Sequence, residues 1–195
     1  MIHHLQGKLS EVNPAFAVVE CGGVGYLVNI TLNTYTHISS ASDVKLYTLP
    51  IYKEDAQTLF GFHTRTEKEI FSLLISVSGV GGNTARVILS SLSPDEVQDC
   101  IASENVNLLK SVKGIGAKTA QRIIVDLKDK VSNIALHEGG VPESGGNTDI
   151  IPEASSALEV LGYTTRQTHK LLYQIKKENP AIGLEELIKT ALKRL

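Results

Sequence analysis

Two copies of one glycine-containing segment have the residue types and the spacing needed to bind an anion. The first copy covers residues 76–89, and the second, 35 residues later, covers residues 111–124. Seven of the fourteen aligned positions are identical, and they include two glycines followed by Thr-Ala. A solenoid needs about three units or more, so these two copies indicate a short structural motif that is duplicated and not a solenoid.

Each copy predicts a helix, a turn of the form Gly-apolar-Gly and a second helix. Glycine lets the backbone turn with positive φ, and a buried Val80 or Ile115 would anchor the turn. The unpaired N–H groups at the start of the second helix would then point outward, where they favour a phosphate. Such contacts bind a nucleic-acid backbone without reading bases. The candidate residues are Gly79, Val80, Gly81, Asn83 and Arg86 in the first copy and Gly114, Ile115, Gly116, Lys118 and Arg122 in the second.

Two other interpretations of these glycines stay open. A single Gly-x-Gly is more often a structural helix C-cap, and it is the duplication that favours binding. A nucleotide-binding loop is a weaker interpretation, because the glycines follow helices instead of strands. Neither Gly-Lys-Ser/Thr nor Gly-x-Gly-x-x-Gly is present.

Adjacent carboxylates, Glu54 and Asp55, lie at the tip of a predicted hairpin. The ordinary interpretation is a solvated turn, and the catalytic alternative is a metal-dependent nuclease site. Neighbours on a strand point to opposite faces, however, and no nearby constellation of Asp, Glu and His would complete such a site. We therefore predict no catalytic residue, no metal and no cofactor.

The remaining reactive side chains are predicted to be structural. His3 and His4 alternate faces of the opening strand. Cys21 and Cys100 are too few and too far apart for a zinc site, and they fit a reducing, cytoplasmic location without disulfides. Neither has a His or an acid at triad-like spacing, so both are expected to act as small apolar residues.

The composition is that of a globular protein, with 195 residues, a net charge of −2 and 42% hydrophobic residues. The apolar runs are far shorter than the roughly 20 residues that cross a bilayer, so membrane and secretory classes are excluded. Basic residues lie mainly in the middle and the tail. Residues 65–131 carry nine Lys and Arg and residues 153–195 carry seven, against three in residues 1–64, which allows a local nucleic-acid face.

Residues 1–63 are predicted to form five or so short strands. β-Branched and aromatic runs alternate there with turns such as Asn13-Pro14 and the glycine-rich residues 22–25. The hairpin with the acidic tip joins strands at 44–52 and 57–62. This number of strands suits a small closed barrel of the OB type.

Residues 64–135 are predicted to be helical, with a capping box at Thr66 and Glu69 and another at Ser93 and Glu96. Residues 136–152 are rich in Gly and Pro and predict a flexible linker. Residues 153–195 predict a three-helix module, so the fold class is α+β. Its apolar residues are expected to be mostly core, with a subset in a partner-binding patch: Leu158, Leu161, Leu171, Leu172, Leu187 and Leu192.

The tandem repeat resembles paired helix-hairpin-helix motifs. Three further features accompany it: the opening Met-Ile-x-x-Leu-x-Gly, the Gly-Gly-Val-Gly-Tyr turn at 22–26 and Lys-Glu-Asp-Ala-Gln at 53–57. With the tethered C-terminal helical module, these make the chain similar to the RuvA family over essentially its whole length.

The resemblance implies a non-catalytic homotetramer, sometimes an octamer, that holds a four-way (Holliday) DNA junction open. It implies recruitment of the hexameric ATPase RuvB through the C-terminal module, for branch migration beside the RuvC resolvase in recombination and repair. It also implies an acidic pin at Glu54 and Asp55 that repels phosphates at the junction centre. The implied hairpin contacts are Gly79, Val80, Gly81, Gly114, Ile115, Gly116 and Lys118.

One departure from the family pattern concerns the first hairpin, where Gly82-Asn83 stand in place of the common Pro-Lys. That hairpin loses a cation and would rely on backbone N–H groups and Arg86. Two rival functions stay open, a structure-specific nuclease using Glu54 and Asp55, and a general single-strand-binding barrel. The second rival is weakened because a chain without Trp and with four Phe offers few stacking platforms.

Overall fold

The computed structural model describes residues 2–134, 150–180 and 182–195. The described residues fall into two compact units, one before and one after residues 135–149. No helix within the described residues is long and apolar enough to span a bilayer.

Within residues 2–62, five strands and one short helix form a closed barrel. The elements are β1 (His4–Val12), β2 (Phe16–Cys21), β3 (Val24–Ile30), α1 (Leu32–Ile38), β4 (Asp43–Tyr52) and β5 (Gln57–Phe62). The strand order is β1-β2-β3-β5-β4, and β4 pairs back to β1. The β3–β5 pair is parallel and the other pairs are antiparallel. This confirms the predicted OB-type barrel.

Alternate residues of the strands fill the barrel, as the two-residue period of a strand requires. The innermost side chains are almost completely buried: Ala17, Val19, Val28, Ile30 and Leu46. Because their neighbours along each strand face outward, the barrel has a second surface on which other elements can pack.

Helix α1 differs from the strand-only prediction for residues 1–63. Its sequence, Leu-Asn-Thr-Tyr-Thr-His-Ile, contains mostly residues of modest helix propensity, so no local pattern indicates a helix. The Thr31 side chain caps the helix by accepting a hydrogen bond from Thr34 N at 2.9 Å. Thr31 and Thr34 are both fully buried, which shows that tertiary contacts stabilise this turn of helix.

The remainder of the first unit is helical, as predicted for residues 64–135. Its helices are α2 (Arg65–Ser76), α3 (Gly82–Ser91), α4 (Pro94–Ala102), α5 (Val106–Ser111) and α6 (Ala117–Ile134). The capping box of Ser93 and Glu96 is confirmed at the start of α4.

The capping box predicted at Thr66 and Glu69 is wrong. The N-cap of α2 is Thr64, whose Oγ1 accepts a hydrogen bond from Glu67 N at 3.1 Å. The Glu67 side chain turns away from the cap, because threonine hydroxyls of the barrel bind it in the interior. Its carboxylate accepts hydrogen bonds from Thr31 Oγ1 at 2.5 Å and from Thr34 Oγ1 at 2.7 Å.

The outward face of β4 and β5 packs against the apolar core of the helices. Phe60 and Phe62 of β5 lie against Phe71 of α2, with ring centroids 4.9 Å and 4.8 Å apart. Leu49 and Ile51 of β4 pack against the same cluster. Barrel and helices therefore share one apolar interface, and the hairpins are held on a rigid support.

The second unit consists of α7 (Ile150–Val160), α8 (Thr165–Glu178) and α9 (Leu184–Arg194). These helices confirm the helical C-terminal region. Helix α7 begins three residues before the predicted boundary at 153, because Ile151 is buried and Pro152 lies in the first turn, where its missing N–H has no partner to lose. The rest of the predicted linker, residues 136–149, lies outside the described residues.

Removing the Thr34 hydroxyl is expected to destabilise the first unit. In Thr34→Val, one Glu67 oxygen loses a donor and His63 N loses its acceptor, which lies at 3.0 Å. We expect a loss of about 2 kcal/mol in the free energy of unfolding, measured by urea denaturation. The control is Thr36→Val in the same helix, because the exposed Thr36 hydroxyl bonds only to Asn33 O among the described contacts. Equal losses in both variants would contradict the importance of the buried carboxylate.

Candidate nucleic-acid interface

The two predicted binding turns have the same backbone geometry. The first hairpin comprises α2, residues 77–81 and α3, and the second comprises α5, residues 112–116 and α6. Gly79 has φ of +92° and Gly114 has φ of +90°, a region that L side chains rarely adopt. An added Cβ at either glycine would meet nothing within 4 Å. The backbone conformation, and not a lack of space, therefore requires glycine here.

A pair of buried apolar residues anchors each turn. Val80 N donates to Val77 O at 3.0 Å, and Ile115 N donates to Val112 O at 3.1 Å. All four side chains are at most 6% exposed. Anchoring by Val80 and Ile115 is thus confirmed, and it leaves the flanking glycines at the surface.

Each turn opens onto the N-terminus of the following helix. The first intrahelical bond of α3 runs from Ala85 N to Gly81 O, and that of α6 runs from Ala120 N to Gly116 O, both at 2.9 Å. The backbone N–H groups before these donors have no intrahelical acceptor. Gly81 and Gly116 are exposed and lack side chains, which favours the approach of an anion to these N–H groups.

The cations near the turns differ in what they contact. Lys118, in the first turn of α6, is exposed at the mouth of the second hairpin. Arg122 Nη1 donates to Ser78 O of the first turn at 3.1 Å, which ties the two hairpins together. Arg86 Nη1 donates to Ala15 O at 3.0 Å and to Asn29 Oδ1 at 3.2 Å, both in the barrel. The two arginines therefore have structural partners that the sequence did not indicate, and their contact with a phosphate stays a prediction.

Sequence reasoning missed one cation. Lys113 lies within the second turn and is exposed, next to the glycine of positive φ. Its counterpart in the repeat is Ser78, so the alignment of the two copies could have found it. The second hairpin consequently carries Lys113 and Lys118, whereas the matching positions of the first hold Ser78 and Asn83.

Gly82 lies where the first hairpin meets the barrel. A Cβ at residue 82 would lie 2.8 Å from the Phe60 ring and 2.9 Å from Ile51 Cδ1. Helix α3 thus begins directly against the β4–β5 face of the barrel. Exposed Asn83 follows it without a charge, so the first turn offers mainly backbone N–H groups.

The acidic residues lie at the end of the β4–β5 hairpin. The strand pairing ends at Tyr52 and Gln57, and Lys53 N donates to Ala56 O at 2.8 Å across the tip. Glu54 and Asp55 are exposed turn residues, so the argument from strand alternation does not apply to them. Within the described part of the chain, no group of three or more His, Cys, Asp or Glu side chains could hold a metal ion.

The two cysteines are free thiols in protein contacts. Cys100 is buried in the helical core, and its Sγ donates to Asn105 O at 3.1 Å. Burial raises the pKa of the Cys100 thiol above its ordinary value, which opposes thiolate chemistry. Cys21 Sγ donates to Gln6 O at 3.3 Å.

The fold and the paired turns define a tandem helix-hairpin-helix protein built on an OB-type barrel. Family models agree with this description along the chain: the RuvA N terminal domain matches residues 1–61, a SAM-like helix-hairpin-helix tandem matches 71–129, and the RuvA C-terminal domain matches 149–195.

Full-length relatives carry one name, "Holliday junction branch migration complex subunit RuvA". The chain is 54% identical over 195 residues to the protein of Christiangramia forsetii and 50% identical over 201 residues to that of Bacteroides thetaiotaomicron, with complete coverage of both chains in each case. It is 45% identical to the protein of Cytophaga hutchinsonii, with 99% of each chain covered. The chain therefore belongs to the RuvA family.

The contacts of Arg86 give a stability prediction. In Arg86→Met, the bonds from the guanidinium to the barrel are lost, and we expect the free energy of unfolding to fall by about 1 kcal/mol. In the control Lys118→Met, the same charge is removed from an exposed side chain, and we expect a change within about 0.5 kcal/mol. Thermal and urea unfolding measure both. A loss in the Arg86 variant no larger than that in the Lys118 variant would contradict a stabilising role of the barrel contact.

Proposed function

We propose that this chain binds four-way DNA junctions by their shape and serves as the junction-binding subunit of a branch-migration complex. One observation carries the proposal: two turns of the same geometry lie in a single compact unit and each presents a helix N-terminus to solvent. A pair of equivalent anion sites held by one rigid unit can bind the backbone of a junction arm at two places.

The chemistry of these contacts is independent of base sequence. Backbone N–H groups at a helix N-terminus donate hydrogen bonds to any phosphate, and the exposed Lys118 adds a charge beside the second site. The contacting residues that we propose are those of the two turns, Gly79–Gly81 and Gly114–Gly116, together with Asn83 and Lys118. Lys113 joins them because it is exposed within the second turn.

The acidic tip repels phosphates, whereas the hairpin turns bind them. Glu54 and Asp55 project from the barrel as exposed carboxylates without a carboxylate-neutralising ion pair among the described residues. Repulsion between these carboxylates and phosphates would disfavour a continuous duplex and would guide strands where they separate. We therefore assign the tip to the junction centre.

The proposed division of labour follows the predicted domains, with the last boundary moved to the start of α7. Residues 1–63 carry the pin, residues 64–135 hold the arms, residues 136–149 link the modules, and residues 150–195 contact the motor ATPase RuvB. ATP hydrolysis belongs to RuvB, and this chain contributes no catalytic step. We further propose a homotetramer that is sometimes joined by a second tetramer on DNA, cooperation with the RuvC resolvase, and a cytoplasmic location consistent with the two free thiols.

We propose that the motor contacts apolar side chains that the second unit leaves exposed. Leu158, Leu172 and Leu187 are fully buried and form its core, with partly buried Leu171 packed against them. Leu161 is 57% exposed at the end of α7, beside Val160 at 86%, and Leu192 is 38% exposed on α9. The exposed members of the predicted patch are therefore Leu161 and Leu192.

A gel-shift competition tests the function. The full chain is incubated with a synthetic four-way junction and with linear duplex of the same arm sequences, at several salt concentrations, with and without magnesium. We expect preferential junction binding without cleavage, and Lys118→Ala should weaken it and flatten its salt dependence by about 0.9 in the logarithmic slope. Equal affinity for both DNAs would refute junction specificity, and nicked arms would favour the nuclease alternative. A preference for unpaired strands would favour the single-strand-binding alternative.

Neutralising the acidic tip gives a separate prediction. The double variant Glu54→Gln, Asp55→Asn is expected to bind linear duplex more tightly than the wild type, because a repulsive charge has been removed. The control is Glu11→Gln, which removes an exposed carboxylate elsewhere on the barrel. Filter binding to duplex measures the change. Unchanged or weaker duplex binding by the double variant would contradict the repulsion. If the control gained as much duplex affinity per removed carboxylate, the effect would be one of net charge and not of the tip.

A further inference from the structure

A group of basic side chains surrounds one tyrosine on the barrel, away from both hairpin turns. We name it the basic cluster; it consists of His3, His4, Lys45, Tyr47, Arg65 and Lys68. The members come from three places in the chain: the start of β1, the outward face of β4 and the first turn of α2. None of them belongs to the hairpin turns or to the acidic tip, and the two histidines that the sequence predicted to be structural have exposed side chains.

Tyr47 organises the cluster. Lys45 Nζ lies 5.5 Å from the centroid of the Tyr47 ring, and Arg65 Cζ lies 5.4 Å from it. The His3 ring meets the same tyrosine edge to face at 6.3 Å. Cation–π contacts of this kind hold charged groups in place without neutralising them.

Backbone contacts hold the neighbouring strand end. Thr48 N donates to His3 O at 2.9 Å, and Lys68 Nζ donates to the same carbonyl at 3.4 Å. His3 Nδ1 lies 3.2 Å from His4 Nδ1. The cations are therefore positioned by the barrel and by α2, and are not spread over a flexible segment.

The cluster has excess positive charge. The ion pairs found among the described residues join Lys128 to Glu104, Lys189 to Glu185 and Arg194 to Glu178, and none includes a member of the cluster. The pKa of His3 is lowered mainly by the nearby charge of Lys68, with smaller contributions from burial, His4, Arg65 and Lys45. The pKa of Lys68 is lowered by burial and by Arg65, and only Glu69 opposes the shift. Bringing like charges together in this way is unfavourable unless an anion binds between them.

The arrangement of the charges in the cluster indicates which kind of anion it binds. Its charges are spread over several side chains around an aromatic ring that cations already cover, so it presents charge and not an apolar groove for a peptide. It also lies at the opposite end of α2 from the first turn, about 17 Å along the helix from Arg65 to Ser76. A duplex bound at the hairpins is long enough to reach it.

We propose that the basic cluster is an additional binding site for the phosphodiester backbone of DNA, in which Lys45, Arg65 and Lys68 contact phosphates. This inference rests on the proposed function, which it deepens by adding a contact with no preference for junction over duplex. The cluster increases affinity for any DNA arm, and the hairpins and the acidic tip provide the discrimination.

Salt-dependent binding tests the site. Fluorescence anisotropy is measured with the full chain, using a labelled linear duplex and a labelled four-way junction over a series of salt concentrations. The variants are Lys45→Gln, Arg65→Gln and Lys68→Gln, and the matched control is Lys8→Gln, an exposed lysine of β1 outside the cluster. Circular dichroism and sedimentation check folding and assembly.

We expect each cluster variant to lower the slope of log affinity against log salt by about 0.9, equally for both DNAs, while Lys8→Gln leaves it unchanged. If the cluster variants had the same slope of log affinity against log salt as the wild type or the control, the proposal would be overturned. It would also be overturned if binding were lost only together with a change in sedimentation, because that result would show that the cluster is a subunit contact. The result is separable from the proposed function: wild-type chain that lacks junction preference refutes junction specificity alone, whereas intact preference with unchanged cluster slopes refutes the cluster alone.

Discussion

The buried carboxylate of Glu67 is the contact on which the placement of the hairpins depends. It lies in the first turn of α2, yet its oxygens bind the hydroxyls of Thr31 and Thr34 in the barrel. Thr34 in turn accepts the backbone N–H of His63, the residue before the N-cap of α2. A carboxylate is expensive to bury unless donors surround it, so this arrangement permits one position of α2 on the barrel. Since α2 leads directly into the first turn, the binding geometry starts from this polar contact.

The two hairpins have the same backbone conformation at their turns, but they pack against different parts of the protein. Their turns share a φ near +90° and the same anchoring bond. The first hairpin, however, lies against Phe60 and Ile51 and is held to the barrel by Arg86, whereas the second meets the first through Arg122. At the matching exposed positions, the first hairpin holds Ser78 and Asn83, whereas the second holds Lys113 and Lys118. We infer that the first site depends on backbone donors and the second on backbone donors plus charge.

Charge is arranged locally in a chain whose net charge is only −2. Lysines lie at the second turn, the basic cluster lies beside Tyr47, and two carboxylates occupy the hairpin tip. Such a distribution attracts a polyanion to chosen surfaces and repels it from another, which a uniformly basic protein would not do. It suits a protein that must distinguish the form of a DNA molecule instead of its sequence.

The sequence by itself determined the features that depend on local pattern. The duplicated Gly-apolar-Gly turns, the strand at 57–62 and the three helices of the C-terminal module could be predicted because turn residues and apolar periodicity act over a few residues. Only the tertiary structure decided helix α1, the cap at Thr64 and the partners of Arg86 and Arg122. The acceptor of Arg86 at Ala15 is 71 residues away in the chain, and Glu67 finds Thr31 across 36 residues. Hydrogen bonds between residues so far apart in the chain depend on which surfaces the core brings together, and a local sequence pattern does not indicate them.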